Sequence, residues 1–192
     1  MESFRSTPAF QKYFHKLHPD SNKLRSMGKL RWTKNIFGSK LDIRREKELI
    51  GTIQWENMFS SRAQAMINGK LFELNREFFL SKLEIYDAND HSLLGMVMIN
   101  LFNPRTDVVV NRKRFELEIH NFWQSRWSWK FNGEEIITYT SGGLLTKDKG
   151  EIELFTTCND EVDILILLGL FVRNQFILFM LIVIIIVLLI II

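Results

Sequence analysis

Apolar and polar residues alternate from Lys29 to Thr157, and this pattern predicts a region built from strands. The segments FELEIH at 115–120, RWSWKF at 126–131 and KLEIY at 82–86 show the alternation most clearly. Because successive side chains of a strand point to opposite faces, each segment predicts a strand with one face toward a core. The absence of a helical period in this sequence region excludes a parallel sheet built from βαβ units.

Turn sequences separate the predicted strands. Asn68-Gly69 and Asn132-Gly133 are two-residue hairpin signals, because Asn and Gly accept a positive φ at low cost. Residues 88–91 and 148–150 predict further hairpins. Together the pattern predicts about twelve antiparallel strands. Their centres are Leu30, Leu41, Ile53, Ala65, Phe72, Leu83, Val97, Val109, Leu117, Trp129, Ile137 and Leu154.

Residues 162–192 are apolar almost throughout. The polar interruptions are Asp163 and the cluster Arg173, Asn174 and Gln175. A helix that is apolar on every side belongs inside a protein or inside a bilayer. Residues 162–172 are too few to cross a membrane and suit a core helix, whereas residues 176–192 span about 25 Å, the lower limit for crossing hydrocarbon.

The two parts of this stretch therefore predict different roles. We expect a buried helix from about residue 161 and a single-pass membrane anchor over residues 176–192, with the rest of the chain on the cytoplasmic side. Arg173 is expected just before the anchor, on the side where cations are retained, with Asn174 and Gln175 among headgroups. Whether the stretch forms one helix or two stays open.

A barrel of twelve strands needs something to fill it. About eight strands is the size whose own side chains fill the interior, so twelve would enclose an apolar hollow. The predicted helix follows the last strand directly, and Gly169 permits a close approach to the wall. The fold prediction is an all-β domain over residues 29–175, a closed antiparallel barrel around a hydrophobic helix.

The first 28 residues predict a short amphipathic helix and a linker. Thr7 is a candidate cap, Pro8 suits the first helical position and Pro19 ends the helix. Its apolar face consists of Phe10, Tyr13, Phe14 and Leu17. Such a helix either covers the mouth of the barrel or lies on a membrane surface, and residues 21–28 link it to the first strand.

The predicted architecture resembles the tubby C-terminal-like superfamily, which includes phospholipid scramblases and LURP-one-related proteins. The resemblance covers residues 29–176 and rests on the strand count, on WSWKFNGEEI followed by KGEIEL, and on the closing EVDILILLGLFVRNQF. It implies a twelve-stranded barrel around a C-terminal helix and an association with phosphoinositide-containing membranes or with phospholipid scrambling. Many bacterial members have no known activity.

No functional residue of that superfamily carries over to this chain. The phosphoinositide-holding cations of tubby domains have no matching position. The acidic calcium-binding segment and the palmitoylated cysteine cluster of scramblases are absent from the sequence, so calcium-triggered scrambling is not expected. The anchor at 176–192 is a further departure from the pattern.

Charge and cysteine content narrow the possible partners. Met1 to Lys47 contains 12 Lys and Arg against 4 Asp and Glu, a net charge of +8, whereas Glu48 to Asp160 has a net charge of −4. A basic front suggests attraction to anionic phosphate. Cys158 is the single cysteine, which excludes an internal disulfide and a zinc site built from cysteine pairs, and suits a reducing compartment.

Sequence signals for catalysis are lacking. The chain has no nucleophile elbow, phosphate-binding loop, dinucleotide-binding fingerprint or HExxH motif. His15 and His18 have a metal-compatible spacing without a third ligand nearby, and Glu134 and Glu135 point to opposite faces of a strand. We expect no enzymatic activity, no cofactor, no metal site and no small-molecule substrate.

Clusters of cations provide the candidate binding residues. Arg112, Lys113 and Arg114 lie between two predicted strands, and Arg44 and Arg45 close another. Each cation near an anionic bilayer contributes about 1 kcal/mol of binding free energy. The favoured function is a non-enzymatic, membrane-associated phospholipid-binding or scaffold module. The alternatives are a phospholipid scramblase and a soluble nucleic-acid or transcription adaptor, which has no use for an anchor.

Overall fold

The computed structural model describes residues 27–35, 37–77, 82–98, 105–121, 125–142 and 147–191. These residues form twelve strands and one helix, and the amphipathic helix predicted near the N-terminus lies outside them. The strands are β1 (Gly28–Asn35), β2 (Lys40–Arg45), β3 (Glu48–Trp55), β4 (Arg62–Ile67), β5 (Lys70–Arg76), β6 (Lys82–Asp87), β7 (Leu93–Met98), β8 (Arg105–Val110), β9 (Lys113–Ile119), β10 (Arg126–Phe131), β11 (Glu134–Ser141) and β12 (Lys147–Leu154); the helix is α1 (Asp160–Ile191).

The strands form a closed antiparallel barrel. Each strand pairs with its neighbours in the chain, and β1 pairs with β12 from Gly28 opposite Leu154 to Asn35 opposite Lys147. Every predicted strand centre falls within an observed strand, so the fold prediction is confirmed. Asn68 and Asn132 have φ values of 49° and 52°, each followed by a positive-φ Gly, as the hairpin signals required.

One predicted hairpin is wrong, because residues 148–150 lie inside β12. Gly150 pairs with Trp32 of β1, and a Cβ at this glycine would overlap the Trp32 ring and the carbonyl oxygen of Thr140. The glycine is therefore needed for close packing of the barrel wall and not for a turn. Asp148 is a buried strand residue.

The first half of α1 lies inside the barrel. Contacts come from opposite sides of the wall: the Trp129 and Tyr139 side chains donate hydrogen bonds of 2.8 and 3.0 Å to the Leu165 carbonyl, while Trp55 stacks on Phe171. Burial in the apolar interior raises the pKa of the Tyr139 hydroxyl far above its usual range, which keeps it a donor. Residues 162–175 are buried on every face of the helix.

Gly169 is required where α1 approaches β10 and β11. A Cβ at this position would lie 2.5 Å from the Tyr139 hydroxyl oxygen and 3.0 Å from the Trp129 indole nitrogen, distances too short for a side chain. The predicted close approach is confirmed. Trp127 and Trp129 are core residues, with exposed fractions of 1% and 0%.

Polar contacts hold the start of α1 in place. Asn159 caps the helix, since its side-chain oxygen accepts a 2.9 Å hydrogen bond from the Val162 amide. The Asn68 side-chain amide donates to both Asp163 oxygens at 2.9 and 3.0 Å, which ties the helix to the β4–β5 turn. Lys113 contributes an ion pair of 2.9 Å with Glu161.

The two ends of the barrel differ in what they contain. We call the first the turn end: it holds the hairpin turns after β2, β4, β6, β8 and β10 and the start of α1. The second is the tail end, where the odd-numbered strands from β1 to β11 finish and α1 leaves the barrel. The helix is continuous from residue 160 to 191, which answers the question of one helix or two. We call residues 160–175 the enclosed segment and residues 176–191 the tail.

Candidate functional site: the tail and the barrel end around it

Residues 182–190 of the tail form an apolar surface that the other described residues leave exposed, whereas Leu178, nearer the barrel, is 3% exposed. Each residue from Ile182 to Ile190 is between 36% and 77% exposed. The helix contains an 18-residue stretch with a mean hydropathy of 2.6, of which only 22% is buried. The core helix of a soluble protein matches the same length and composition but is mostly buried, as the enclosed segment is. The helix is therefore long and apolar enough to cross a membrane, by length and composition.

A buried ion pair marks the point where α1 leaves the barrel. Arg173 donates hydrogen bonds of 2.8 to 3.2 Å to both carboxylate oxygens of Asp148 on β12, and its guanidinium lies 5.0 Å from the centre of the Trp127 ring. Lys34, directly opposite Asp148 on β1, is also buried. Burial lowers the pKa of Lys34, and the nearby Asp148 carboxylate opposes this shift. Two cations and one carboxylate thus meet inside the tail end.

This arrangement corrects the prediction for the polar cluster at 173–175. Arg173, Asn174 and Gln175 are 1%, 4% and 0% exposed, so they do not lie among headgroups. The Asn174 amide nitrogen and both side-chain polar atoms of Gln175 have no hydrogen-bond partner among the described residues. The cluster belongs to the interior of the barrel, and the expectation that Asn174 and Gln175 lie among headgroups is wrong.

The five predicted headgroup cations all lie at the turn end, in two hairpins that are separated along that rim by the β4–β5 and β6–β7 hairpins. Arg44 and Arg45 end β2, while Arg112 and Lys113 belong to the β8–β9 hairpin with Arg114. Several of these cations already contact acids: Lys113 pairs with Glu161, and Arg114 pairs with Asp107. Arg44 lies 3.6 Å from Asp42.

These cations and the tail lie at opposite ends of the molecule. The enclosed segment separates them by about 22 Å at 1.5 Å per residue. Charge interactions in physiological salt decay over about 8 Å. A bilayer that holds the tail is therefore too far away to attract the cations of the turn end, and the two sequence predictions do not describe one contact surface.

A polar cluster on the outer wall was missed from the sequence. We call it the outer cluster: Glu118, His120 and Glu135, whose metal-binding atoms lie within 4.8 Å of one another. His120 Nε2 lies 3.1 Å from Ser128 Oγ and 3.3 Å from a Glu135 oxygen. Ser128 Oγ donates a 3.1 Å hydrogen bond to Glu135. The alternation of polar residues at 116, 118 and 120 was the sequence signal that placed Glu118 and His120 on one face of a strand.

The geometry of the outer cluster does not suit nucleophilic catalysis or a free cation site. In a catalytic triad the two ring nitrogens contact different partners, whereas here His120 Nε2 contacts both Ser128 and Glu135. Ser128 is fully buried, so its hydroxyl cannot reach a substrate. Each carboxylate already has a cationic partner, Lys130 for Glu118 and Arg126 for Glu135. The cluster is a charge-balanced network on the wall.

A surface groove of about 780 Å³ crosses strands β3 to β6. Gln54, Gln64, Glu73 and Tyr86 occupy successive paired positions across these strands and line it. His91 lies 3.3 Å from Glu73. The groove offers hydrogen-bonding groups without a fixed charge cluster, and it is a weaker candidate than the tail.

Comparison with known proteins found no match for this chain. No protein-family model matches the chain, no curated protein matches it, and no solved structure matches it. The resemblance to the tubby C-terminal-like superfamily therefore stays a prediction from the sequence, and the functional argument depends on the geometry of this barrel and its helix.

Proposed function

We propose that this chain is a non-enzymatic, membrane-anchored protein whose barrel acts as a phospholipid-binding or scaffold module. The exposed apolar tail is the observation that carries the proposal. An exposed apolar surface of this extent in water is unfavourable, at about 25 cal/mol for each Å². A bilayer removes that cost, and the helical backbone satisfies its own hydrogen bonds in lipid.

The filled interior of the barrel also supports a binding or scaffold role. Leu165, Leu168 and Phe171 are each 0% exposed and occupy the space where a hollow barrel would hold a ligand. Recognition is thus left to the outer wall, the two ends and the tail. We place the barrel on the cytoplasmic side, because Cys158 is a free, exposed thiol, which suits a reducing compartment.

Alkaline carbonate extraction of membranes tests the anchor. The full-length protein should stay in the membrane pellet, because the tail has no charged side chain. The variant Ile184→Lys/Leu188→Lys should move to the supernatant, since each lysine near the centre of a spanning helix costs about 3 kcal/mol. Leu71→Lys is the control: Leu71 is 52% exposed on the outer wall and its variant should stay in the pellet.

Full-length protein in the supernatant would end the anchor proposal. Labelling of Cys158 in sealed cells with a membrane-impermeant maleimide tests the side of the membrane. Labelling before the cells are opened would contradict the cytoplasmic assignment. Reconstitution in vesicles tests the scramblase alternative: calcium-stimulated movement of labelled lipid between leaflets would replace the scaffold proposal.

A further inference from the structure

Two exposed aromatic residues lie beside the exit of the helix. Phe37, between β1 and β2, is 77% exposed, and Phe59, between β3 and β4, is 57% exposed. They are the only Phe residues among the exposed large hydrophobic side chains of the described residues. Both belong to connections at the tail end of the barrel.

Hydrogen-bonded turns hold these aromatics outward. The Gly38 amide donates to the Asn35 carbonyl at 2.9 Å, which closes the turn that presents Phe37. In the second connection, the Phe59 amide donates to the Asn57 side chain at 3.0 Å and the Ser60 amide donates to the Asn57 carbonyl at 3.1 Å. The exposure of the two rings is therefore built into the turns.

The connections at the two ends differ in composition. At the turn end the five hairpin turns consist of Glu-Lys, Asn-Gly, Ala-Asn-Asp-His-Ser, Asn-Arg and Asn-Gly, without a bulky apolar residue. The exposed Leu and Val residues at that end lie on strands, and Met27, 66% exposed, precedes β1 there. At the tail end, the described residues of the connections include the exposed Phe37 and Phe59.

We propose that the tail end of the barrel rests in the bilayer interface, with Phe37 and Phe59 among the lipid headgroups and the turn end directed into solvent. This inference rests on the proposed membrane anchor. Aromatic side chains favour the membrane–water interface, where an apolar ring and a polar backbone are both accommodated. The tail brings these two rings to that level, because α1 leaves the barrel at the end where their connections lie.

This orientation assigns different partners to the two ends. The five cations of the turn end, Arg44, Arg45, Arg112, Lys113 and Arg114, point away from the bilayer that holds the tail. They face solvent, where Lys113 and Arg114 keep their ion pairs with Glu161 and Asp107. A barrel lying with these cations on the headgroups is the opposite orientation, and both orientations cannot hold for one molecule with the tail in the same bilayer.

Site-specific fluorescence distinguishes these orientations in the full-length protein. Phe37→Cys and Phe59→Cys are each made in a Cys158→Ser background and labelled with an environment-sensitive dye. The native Cys158, in the connection before α1 at the turn end, is the matched control label. The proteins are reconstituted in phosphatidylcholine vesicles, and quenching is compared between iodide in water and a shallow lipid-attached nitroxide. Both Phe side chains are exposed, so the substitutions leave the core intact.

We expect labels at 37 and 59 to shift to shorter emission wavelength, to be quenched by the nitroxide and to be protected from iodide. The label at 158 should show the reverse. Iodide quenching at 37 and 59 equal to that at 158 would overturn the inference. So would protection from iodide without nitroxide quenching, which would show a protein covering. Nitroxide quenching at 158 would show that the turn end faces the bilayer.

Carbonate extraction of the same vesicles separates this inference from the anchor proposal. If the labelled protein resists extraction and its labels at 37 and 59 remain in water, the tail is an anchor and the barrel stands away from the surface. If carbonate removes the protein, the anchor proposal itself is wrong and the interfacial contact of the tail end is lost with it.

Discussion

The enclosed segment and the tail are two halves of one helix with similar composition and opposite surroundings. Leu168 in the enclosed segment is 0% exposed, whereas Leu188 in the tail is 54% exposed. The barrel wall meets the first half with shaped partners, including the Trp129 and Tyr139 hydrogen bonds to Leu165. The tail has only apolar side chains without a polar or small exception. Such a surface fits fluid hydrocarbon, which needs no specifically shaped partner.

This difference shows that hydropathy alone does not assign a helix to a protein core or to lipid. The informative residues are the exceptions to the apolar pattern. Gly169 marks contact with a rigid wall, and Arg173 is a charged residue of the protein interior, where Asp148 compensates its charge. Residues 176–191 contain no such exception.

The largest expected difference in stability is between two variants that place an aspartate in the enclosed segment or in the tail. Leu168→Asp buries a carboxylate without a partner and should destabilise the barrel by more than about 4 kcal/mol, enough to unfold most of it. Ile185→Asp in the tail should leave the barrel intact in detergent micelles, because residue 185 is 53% exposed. Thermal unfolding followed by near-ultraviolet circular dichroism compares the two variants. A native melting curve for Leu168→Asp would contradict the buried position of the enclosed segment.

Substitutions at the ion pair near the boundary between the two halves should cause a smaller loss of stability. Asp148→Asn leaves Arg173 and Lys34 buried without their carboxylate and should cost about 3–5 kcal/mol. Arg173→Met should cost less, because Lys34 still lies opposite Asp148. Denaturant unfolding of both variants and of the double variant measures the coupling between the two residues. Equal single costs that add in the double variant would show that the ion pair does not fix the helix in the barrel.

The smallest expected effect lies at the start of the enclosed segment and depends on pH. Burial raises the pKa of Asp163, and the hydrogen bond from Asn68 only partly opposes this shift. The folded state therefore binds this proton more tightly than the unfolded chain. The resulting stabilisation is complete below the ordinary Asp pKa and is lost as pH rises through the raised pKa.

Asp163→Asn should remove the pH-dependent loss of stability that is due to Asp163, and its side-chain carbonyl still accepts a hydrogen bond from Asn68. We expect the variant to gain stability relative to the native protein as pH rises from 4 to 7.5. The gain is limited because a carboxylate near a helix N-terminus also contributes about 0.3–1 kcal/mol of stability. Unfolding midpoints at several pH values provide the measurement. A difference that moves in the opposite direction would show that the helix dipole and Asn68 outweigh burial.

Most of the fold could be predicted from the sequence. Alternating residues located all twelve strands, and the count of strands together with the apolar stretch predicted the filled barrel. Local chemistry was sufficient there, because strand periodicity and Asn-Gly turns are short-range signals. Gly150 shows the limit: a glycine between two polar residues suggests a turn, and only the approach of Trp32 from a distant strand explains it otherwise.

The candidate site was less accessible to sequence reasoning. Length and hydropathy predicted the apolar tail of α1. The end of the barrel at which each cation or aromatic residue lies depends instead on whether its strand has an odd or an even number. The outer cluster depends on register, since a bulge between Trp129 and Lys130 shifts the pairing of β10 with Glu135. Such an irregularity redirects side chains and leaves no mark in the alternation.

The position of α1 after all twelve strands has a consequence for biosynthesis. During translation the ribosome releases every wall strand before the helix that completes their core, and β1 must wait for β12 before the sheet can close. Long-range pairings of this kind fold slowly and leave strand edges and apolar surface accessible meanwhile. Nascent chains of this protein are therefore expected to depend on chaperones until α1 has been made. The helix that ends this dependence is the same helix that we propose as the membrane anchor.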